Sequence, residues 1–229
     1  MNRLSVIVCI CILTILPGCA SSIATAKHHS VDKLPSSFVY IPVDIEVSKF
    51  GVGNVTEIPE WSAEAKNLVS REIKNYVDKN LHLASVNLAT MDDENSNILD
   101  EYVGLYDATA GAAIQSQTAG VGWEHKKANF DYTLGPGVGF LDEYTDAETA
   151  LFVVGQNYVS TGGRKLTFLF AAAFGVAIPL GHSFLHVGFV DIKTGKLLWT
   201  NSVFSQSLNL RDQQNVSNIV ATLFESYPK

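Results

Sequence analysis

Two histidines, His182 and His186, have a spacing that could serve metal-binding chemistry. Side chains four residues apart share one face of a strand and are also neighbours on a helix, so two imidazoles could bind one ion. The first carboxylate that follows them is Asp191, and the chain contains no His-Glu-x-x-His pattern. We therefore predict that the protein has no metal site.

Glycine-rich runs are the second place where chemistry could occur, because their backbone N–H groups can bind phosphate. Ser160-Thr161-Gly162-Gly163-Arg164-Lys165 is similar to a phosphate loop, but it lacks the first glycine and has Arg164 where that loop needs lysine. We interpret it as a turn with a basic edge. The run Gly135-Pro136-Gly137-Val138-Gly139 lacks the spacing of a dinucleotide loop, so no cofactor is predicted.

The remaining patterns give no support for an enzyme. The sequence contains no Gly-x-Ser-x-Gly elbow, which an α/β-hydrolase would need. Two acidic pairs, Asp142 with Glu143 and Asp146 with Glu148, lie where the start of a helix would favour acids through its dipole. We predict no catalytic residues, and a periplasmic enzyme is the least favoured of the functions considered.

The N-terminus has the three parts of a secretory signal. Arg3 supplies a positive charge, residues 6–16 are apolar, and small residues precede Cys19. Cys9 and Cys11 lie in the apolar stretch and would leave with the signal, so Cys19 is the only cysteine expected in the mature chain. A disulfide, a cysteine-based zinc site and a thiol nucleophile are therefore not expected.

The run Leu16-Pro17-Gly18-Cys19 resembles the lipobox of bacterial lipoproteins. This resemblance implies that the thiol of Cys19 is diacylated, that the chain is cut before Cys19, and that the new amino group is acylated. Ala20 follows, where Asp would favour retention in the inner membrane, so outer-membrane sorting is implied. We divide the chain into a signal peptide (1–18), a flexible tether (19–36) and one α/β domain (37–229).

Composition is typical of a well-packed globular protein with few charges. Hydrophobic residues make up 47% of the chain and charged residues 17%, with a net charge of −7. An acidic protein is poorly suited to bind nucleic acid or anionic lipid by charge alone. Contact with the membrane is therefore expected to come from the acyl chains.

The first half of the domain is predicted to contain strands and two helices. Residues 38–47 alternate as a strand with one face formed by Val39, Ile41, Val43, Ile45 and Val47, and Pro42 lies at a sheet edge or at a bulge. Residues 60–79 have helical periodicity with Ser62 as N-cap, and a short strand follows at 81–88. Residues 92–95 are interpreted as a solvated loop, and Asn97 as the cap of a helix that ends near residue 115.

The second half of the domain begins with a long loop at 117–140. The almost continuous apolar run in 150–159 favours a central strand. Residues 184–191 and 196–204 are predicted to form a β-hairpin whose turn is closed by Gly195 in a left-handed conformation. The C-terminus is predicted to be an amphipathic helix with Asn209 or Asp212 as cap, and its buried stripe contains Val216, Ile219, Val220, Leu223, Phe224 and Tyr227.

Residues 167–180 are almost wholly apolar but too few to cross a membrane. We consider two interpretations and favour the first. The segment is either a helix, or a helix and strand, in the core, or it is an apolar surface that meets a membrane or a partner protein. In the second case the interaction residues are Phe168, Phe170, Phe174 and Ile178.

The hairpin sequence Val190-Asp191-Ile192-Lys193-Thr194-Gly195-Lys196-Leu197-Leu198-Trp199 looks like that of periplasmic lipoproteins related to the curli-secretion-channel protein and the amino-terminal domain of TolB. Ile41-Pro42-Val43 and the acidic-alanine run at 146–151 also match. The likeness covers about residues 37 to 225 and implies an α/β sandwich in the cell envelope.

We therefore expect an α/β fold with a mixed sheet of about five strands and packed helices. The predicted function is that of an outer-membrane-anchored lipoprotein facing the periplasm, which acts as a structural or assembly factor through contacts with envelope proteins. The alternative is a subunit of an oligomeric envelope secretion channel, which would bind further copies of itself.

Overall fold

A mixed β-sheet with helices on both faces forms the body of the protein. The computed structural model describes residues 21–27, 36–81, 83–118, 125–126, 129–206 and 208–227. The predicted α/β class is confirmed. The described residues form a sheet of eight strands, which is more than the sequence predicted.

The strands are β1 (Ser21–Lys27), β2 (Ser37–Tyr40), β3 (Asp44–Phe50), β4 (Val55–Glu57), β5 (Ala84–Val86), β6 (Thr149–Ser160), β7 (Ser183–Asp191) and β8 (Leu197–Ser205). Their order is β1-β8-β7-β6-β2-β5, and β3 pairs with β6 and β4. The helices are α1 (Pro59–Asn80), α2 (Asp93–Thr118), α3 (Gly162–Ala173) and α4 (Gln213–Glu225), with a 3-10 helix at Pro136–Glu143.

Strand β6 is central, as predicted, and is covered on both faces. Leu151 and Val153 belong to the core that α1 and α4 complete, whereas Phe152 and Val154 belong to the core under α2. On the α2 side, Tyr106 stacks on Phe152 with ring centroids 5.0 Å apart. Both faces of the sheet are therefore already occupied by these helices.

Pro42 lies at a bulge, which was one of its two predicted positions. Tyr40 pairs with Leu151 and Asp44 pairs with Val154, so three residues oppose two on β6. One extra residue reverses the alternation of side chains. Val39 accordingly faces the α2 core and Ile45 the α1 core, so the prediction that they share a face was wrong.

Two predicted helix caps were wrong, because both helices begin earlier than expected. Helix α1 begins at Pro59, and Ser62 is buried inside it, where its Oγ accepts a hydrogen bond of 2.9 Å from the backbone N–H of Val47. Helix α2 begins at Asp93, and Asp92 caps it by accepting from the N–H of Asn95 at 2.8 Å. Residues 93–95 are therefore the first turn of the helix.

The hairpin and the C-terminal helix confirm their predictions. Gly195 has a φ of +68° in the turn between β7 and β8, and the Oδ1 atom of Asp191 accepts from the N–H of Thr194 at 2.7 Å. Asp212 caps α4 by accepting from the N–H of Asn215. The buried residues of α4 are Val216, Val220, Leu223 and Phe224.

Strand β1 lies inside the range that was predicted to be a flexible tether. Its seven residues pair with β8 in antiparallel register, from Ser21 opposite Ser205 to Lys27 opposite Trp199. These residues have no periodic apolar face that would have predicted a strand. A strand at the edge of a sheet does not need one, because backbone hydrogen bonds alone can hold it.

Candidate functional site

The apolar segment predicted at 167–180 begins with helix α3, directly after β6. The side chain of Thr161 caps this helix by accepting a hydrogen bond of 3.2 Å from the N–H of Arg164. The run 160–165 therefore forms the end of a strand and the cap of a helix. Its likeness to a phosphate loop is explained by the glycine, hydroxyl and basic residues that this connection uses.

Arg164 holds the two ends of this segment together. Its Nε and Nη2 atoms donate to the carbonyl oxygen of Pro179 at 2.9 and 2.6 Å. Its Nη1 atom donates to the carbonyl oxygen of Gly51 at 3.0 Å, and the guanidinium lies 3.4 Å from the ring centroid of Phe50. The segment is thus fastened to the turn that follows β3, a role the sequence did not indicate.

The prediction that this segment belongs to the core was wrong. Helix α3 buries none of its side chains, and Leu169 and Phe174 are 64% and 84% exposed. The chain leaves the sheet at the end of β6 to form α3, and no residue of 162–180 belongs to either of the two cores.

The four predicted interaction residues differ in how far their side chains are exposed. Phe170 and Phe174 are exposed, whereas Phe168 and Ile178 are half-buried. Three further exposed apolar side chains join this surface and were missed: Leu166, Leu169 and Val176. The spacing of Leu166, Leu169 and Phe170 as i, i+3 and i+4 is a signal that could have identified one apolar face.

Helix α3 ends in a hydrogen-bonded turn at Gly175. Gly175 has a φ of +74°, and its N–H donates to the carbonyl oxygen of Ala172 at 3.0 Å. The N–H of Val176 donates to the carbonyl oxygen of Ala171 at 2.9 Å. These two bonds make a Schellman motif, which satisfies the last carbonyl groups of the helix. Phe174 is therefore held outward by a hydrogen-bonded turn.

The two histidines considered for metal binding have separate environments. His182 lies between two aromatic rings, with its centroid 4.9 Å from that of Tyr158 and 5.4 Å from that of Phe204. It lines a polar cleft at the end of β6 with Ser160 and Lys165. Within the described residues, no group of three or more His, Cys, Asp or Glu side chains could hold a metal ion.

His186 lies on β7 beneath helix α2. Its Nε2 atom is 3.9 Å from Oδ1 of Asp107, which is beyond hydrogen-bonding distance, and its buried Nδ1 atom has no partner. Burial lowers the pKa of His186 to about 4. Burial also raises the pKa of the Asp107 carboxyl group, with a smaller contribution from the charge of Asp44. The imidazole is therefore neutral near neutral pH.

The acidic residues considered for catalysis do not form a site. Asp142 and Glu143 end the 3-10 helix and are exposed, as are Asp146 and Glu148 before β6. Cys19 lies outside the described residues. No helix in the described part of the chain is both long and apolar enough to cross a membrane.

No protein-family model matches this chain, and no curated protein matches it in sequence. Among solved structures, it is similar to the PelC dodecamer from Paraburkholderia phytofirmans at 7% identity and a TM-score of 0.37, covering 90% of this chain and 95% of that chain. It is also similar to a DUF4136 family protein from Bacteroides thetaiotaomicron at 9% identity and a TM-score of 0.35, covering 91% and 96%. Neither similarity reaches the level at which a function can be transferred.

Proposed function

We propose that this protein is a bacterial lipoprotein, acylated on Cys19, that is anchored in the outer membrane and faces the periplasm. It acts as a structural or assembly factor through contacts that its surface makes, and no catalytic residue is part of the proposal. The secretory signal before Cys19 and the lipobox-like run at residues 16–19 support the anchor and the compartment.

The exposed apolar surface of residues 162–180 is the observation that carries the proposal. Helix α3 contributes no buried side chain, so its leucines and phenylalanines do not stabilise the core. Exposing apolar area to water costs about 25 cal/mol for each Å², and contiguous patches of this kind mark sites of contact with other molecules. We therefore assign the contact function to this segment.

A photo-crosslinking amino acid at position 170 tests this proposal in living cells. In place of Phe170, which is 62% exposed, a benzophenone side chain should form a covalent adduct on irradiation. The matched control carries the same residue in place of Lys193, which is exposed in the β7–β8 turn at the opposite end of the sheet.

We expect adducts at position 170 to exceed those at position 193 several-fold. Equal and low yields at both positions would show that the apolar surface faces water, and the proposed contact function would be wrong. An adduct that joins two copies of the chain would favour the alternative function, a subunit of an oligomeric secretion channel.

A further inference from the structure

The register of the sheet brings the start of β1 and the apolar segment to the same end of the molecule. Ser21 pairs with Ser205, Ser205 with Ser183, and Ser183 with Asn157. The chain leaves β6 at this end to form α3, and it returns here to begin β7. Three strand spacings of about 4.8 Å separate β1 from β6, which is roughly 14 Å.

The proposed lipid attachment residue is close along the chain to this end of the sheet. Cys19 precedes Ser21 by two residues, and two residues span at most about 7 Å of chain. An acyl group on Cys19 therefore draws this end of the sheet, rather than the β7–β8 turn, toward the bilayer. This step rests on the lipid anchor in the proposed function.

Exposed apolar side chains are concentrated at the same end. In the described part of the chain, the large apolar residues with high exposure are Val52, Val55, Leu105, Leu166, Leu169, Phe170, Phe174, Val176 and Phe204. All except Leu105 lie on α3 and its following turn, on the β3–β4 turn, at the start of β4 or at the end of β8. Val52 lies directly beside Gly163 at the start of α3.

The charges beside this surface are suited to contact with the headgroups of a bilayer. The chain has a net charge of −7, yet no Asp or Glu occurs between Glu148 and Asp191. Lys165 is exposed at the start of α3, whereas the guanidinium of Arg164 is hydrogen-bonded to the carbonyl oxygens of Pro179 and Gly51. Basic side chains beside an apolar face are typical of helices that lie at a membrane surface, where the cations meet headgroups.

The length of α3 is suited to insertion parallel to the membrane. Its twelve residues extend about 18 Å, whereas the hydrocarbon core of a bilayer is about 30 Å thick. The side chains that face inward are Arg164, Phe168 and Ala171, and those that face outward include Leu166, Leu169 and Phe170. The outward face is thus the apolar one.

From these observations we infer that the apolar surface formed by α3, Phe174 and Val176 inserts into the same membrane leaflet as the acyl chains on Cys19. The protein is then attached at two points, through the chain before β1 and through α3, and these points restrict its orientation. The strands that lead to them, β1 and β6, are about 14 Å apart. The β7–β8 turn and the opposite end of the sheet face away from the membrane.

Fluorescence quenching by lipids tests this inference on the full-length, acylated protein. A thiol-reactive fluorophore is attached to the Phe174→Cys variant and, as the matched control, to the Lys193→Cys variant. An acylated Cys19 does not react with the reagent, because its sulfur is in a thioether. Each protein is reconstituted into phosphatidylethanolamine and phosphatidylglycerol vesicles that contain lipids with a nitroxide on the acyl chain.

We expect the fluorophore at position 174 to be quenched several-fold more strongly than that at position 193. Equal quenching at both positions would overturn the inference. A fluorophore at 174 that is shielded from water but not quenched by the lipids would also overturn it, because a protein would then cover the surface. The mass of the N-terminal peptide separates the two proposals: a missing acyl mass contradicts the anchor, whereas equal quenching of acylated protein contradicts only the bilayer contact.

Discussion

At the scale of single residues, the environment of each polar group decides its role more than its type does. Ser62 is in helix α1, but its hydroxyl oxygen accepts a hydrogen bond from the backbone N–H of Val47 in strand β3. Asn157 extends this pattern, since its side chain donates to Ser183 and accepts from the N–H of Leu210. Such bonds satisfy buried backbone groups that would otherwise destabilise the fold.

His186 makes the stability of the protein depend on pH. Its pKa is about 4 in the folded state because of burial, against about 6.5 in an unfolded chain. Between these values the unfolded state binds more protons, so stability increases with pH and is lost on acidification. From about pH 7 to about pH 5 the loss from this residue should be about 2 kcal/mol.

Urea unfolding at these two pH values measures the effect. The His186→Leu variant should lose less stability on acidification than the wild type does. His182→Leu serves as the matched control and should retain the wild-type dependence, because His186 is unchanged. If the two variants and the wild type all lose the same stability, His186 is not the origin of the effect. The raised pKa of Asp107 acts in the opposite direction but is common to all three proteins.

At the scale of elements, similar apolar patterns have opposite outcomes in α1 and α3. Helix α1 buries Ala65, Leu68, Val69, Ile73 and Val77 against the sheet. Helix α3 has a larger share of apolar residues and buries none of its side chains. The difference is position, since α1 crosses a face of the sheet and α3 projects from the end of it.

Paired substitutions by aspartate test this difference. Ala65→Asp places a carboxylate where the side chain is 0% exposed, which should cost at least about 2 kcal/mol or prevent folding. Ala172→Asp places one on the exposed side of α3, and the free energy of unfolding should change by less than about 0.5 kcal/mol. If the urea midpoint falls as far for Ala172→Asp as for Ala65→Asp, residues 167–180 belong to the core and the exposed position of α3 is wrong.

At the scale of the whole molecule, the two ends of the sheet differ in character. One end has the exposed apolar segment together with Arg164 and Lys165. The opposite end has exposed Asp142, Glu143, Asp146 and Glu148 beside the starts of β2 and β6. A protein with one apolar and one acidic end is suited to a position between a membrane and an aqueous compartment.

Removal of the attachment residue should change the location of the whole protein. In cells fed a palmitate analogue, Cys19→Ser should lose the label and should no longer fractionate with the outer membrane, because the thiol that carries the acyl group is absent. Cys9→Ser is the matched control, since it lies in the apolar stretch of the signal, and it should be labelled as the wild type is. Equal labelling of Cys19→Ser would contradict the lipid anchor.

The sequence alone predicted most of the regular elements. The period of α1, the apolar run of β6, the turn at Gly195 and the cap at Asp212 are local features, and each is confirmed. They could be predicted because helix and strand periodicities and turn conformations depend on neighbouring residues. The apolar segment was recognised as unusual for the same reason, although the favoured assignment to the core was wrong. Phe170 and Phe174, two of the four residues named for the alternative, are exposed.

Only the tertiary structure decided which apolar residues are buried and on which face. One extra residue at Pro42 moves Val39 and Ile45 to opposite cores, and the pairing of β1 with β8 gives a strand where the sequence shows no apolar pattern. Burial depends on what already covers a surface, which is a property of distant segments. Helix α3 is exposed for that reason: α1, α2 and α4 pack on the two faces of the sheet, whereas α3 follows the end of β6 and adds no residue to either core.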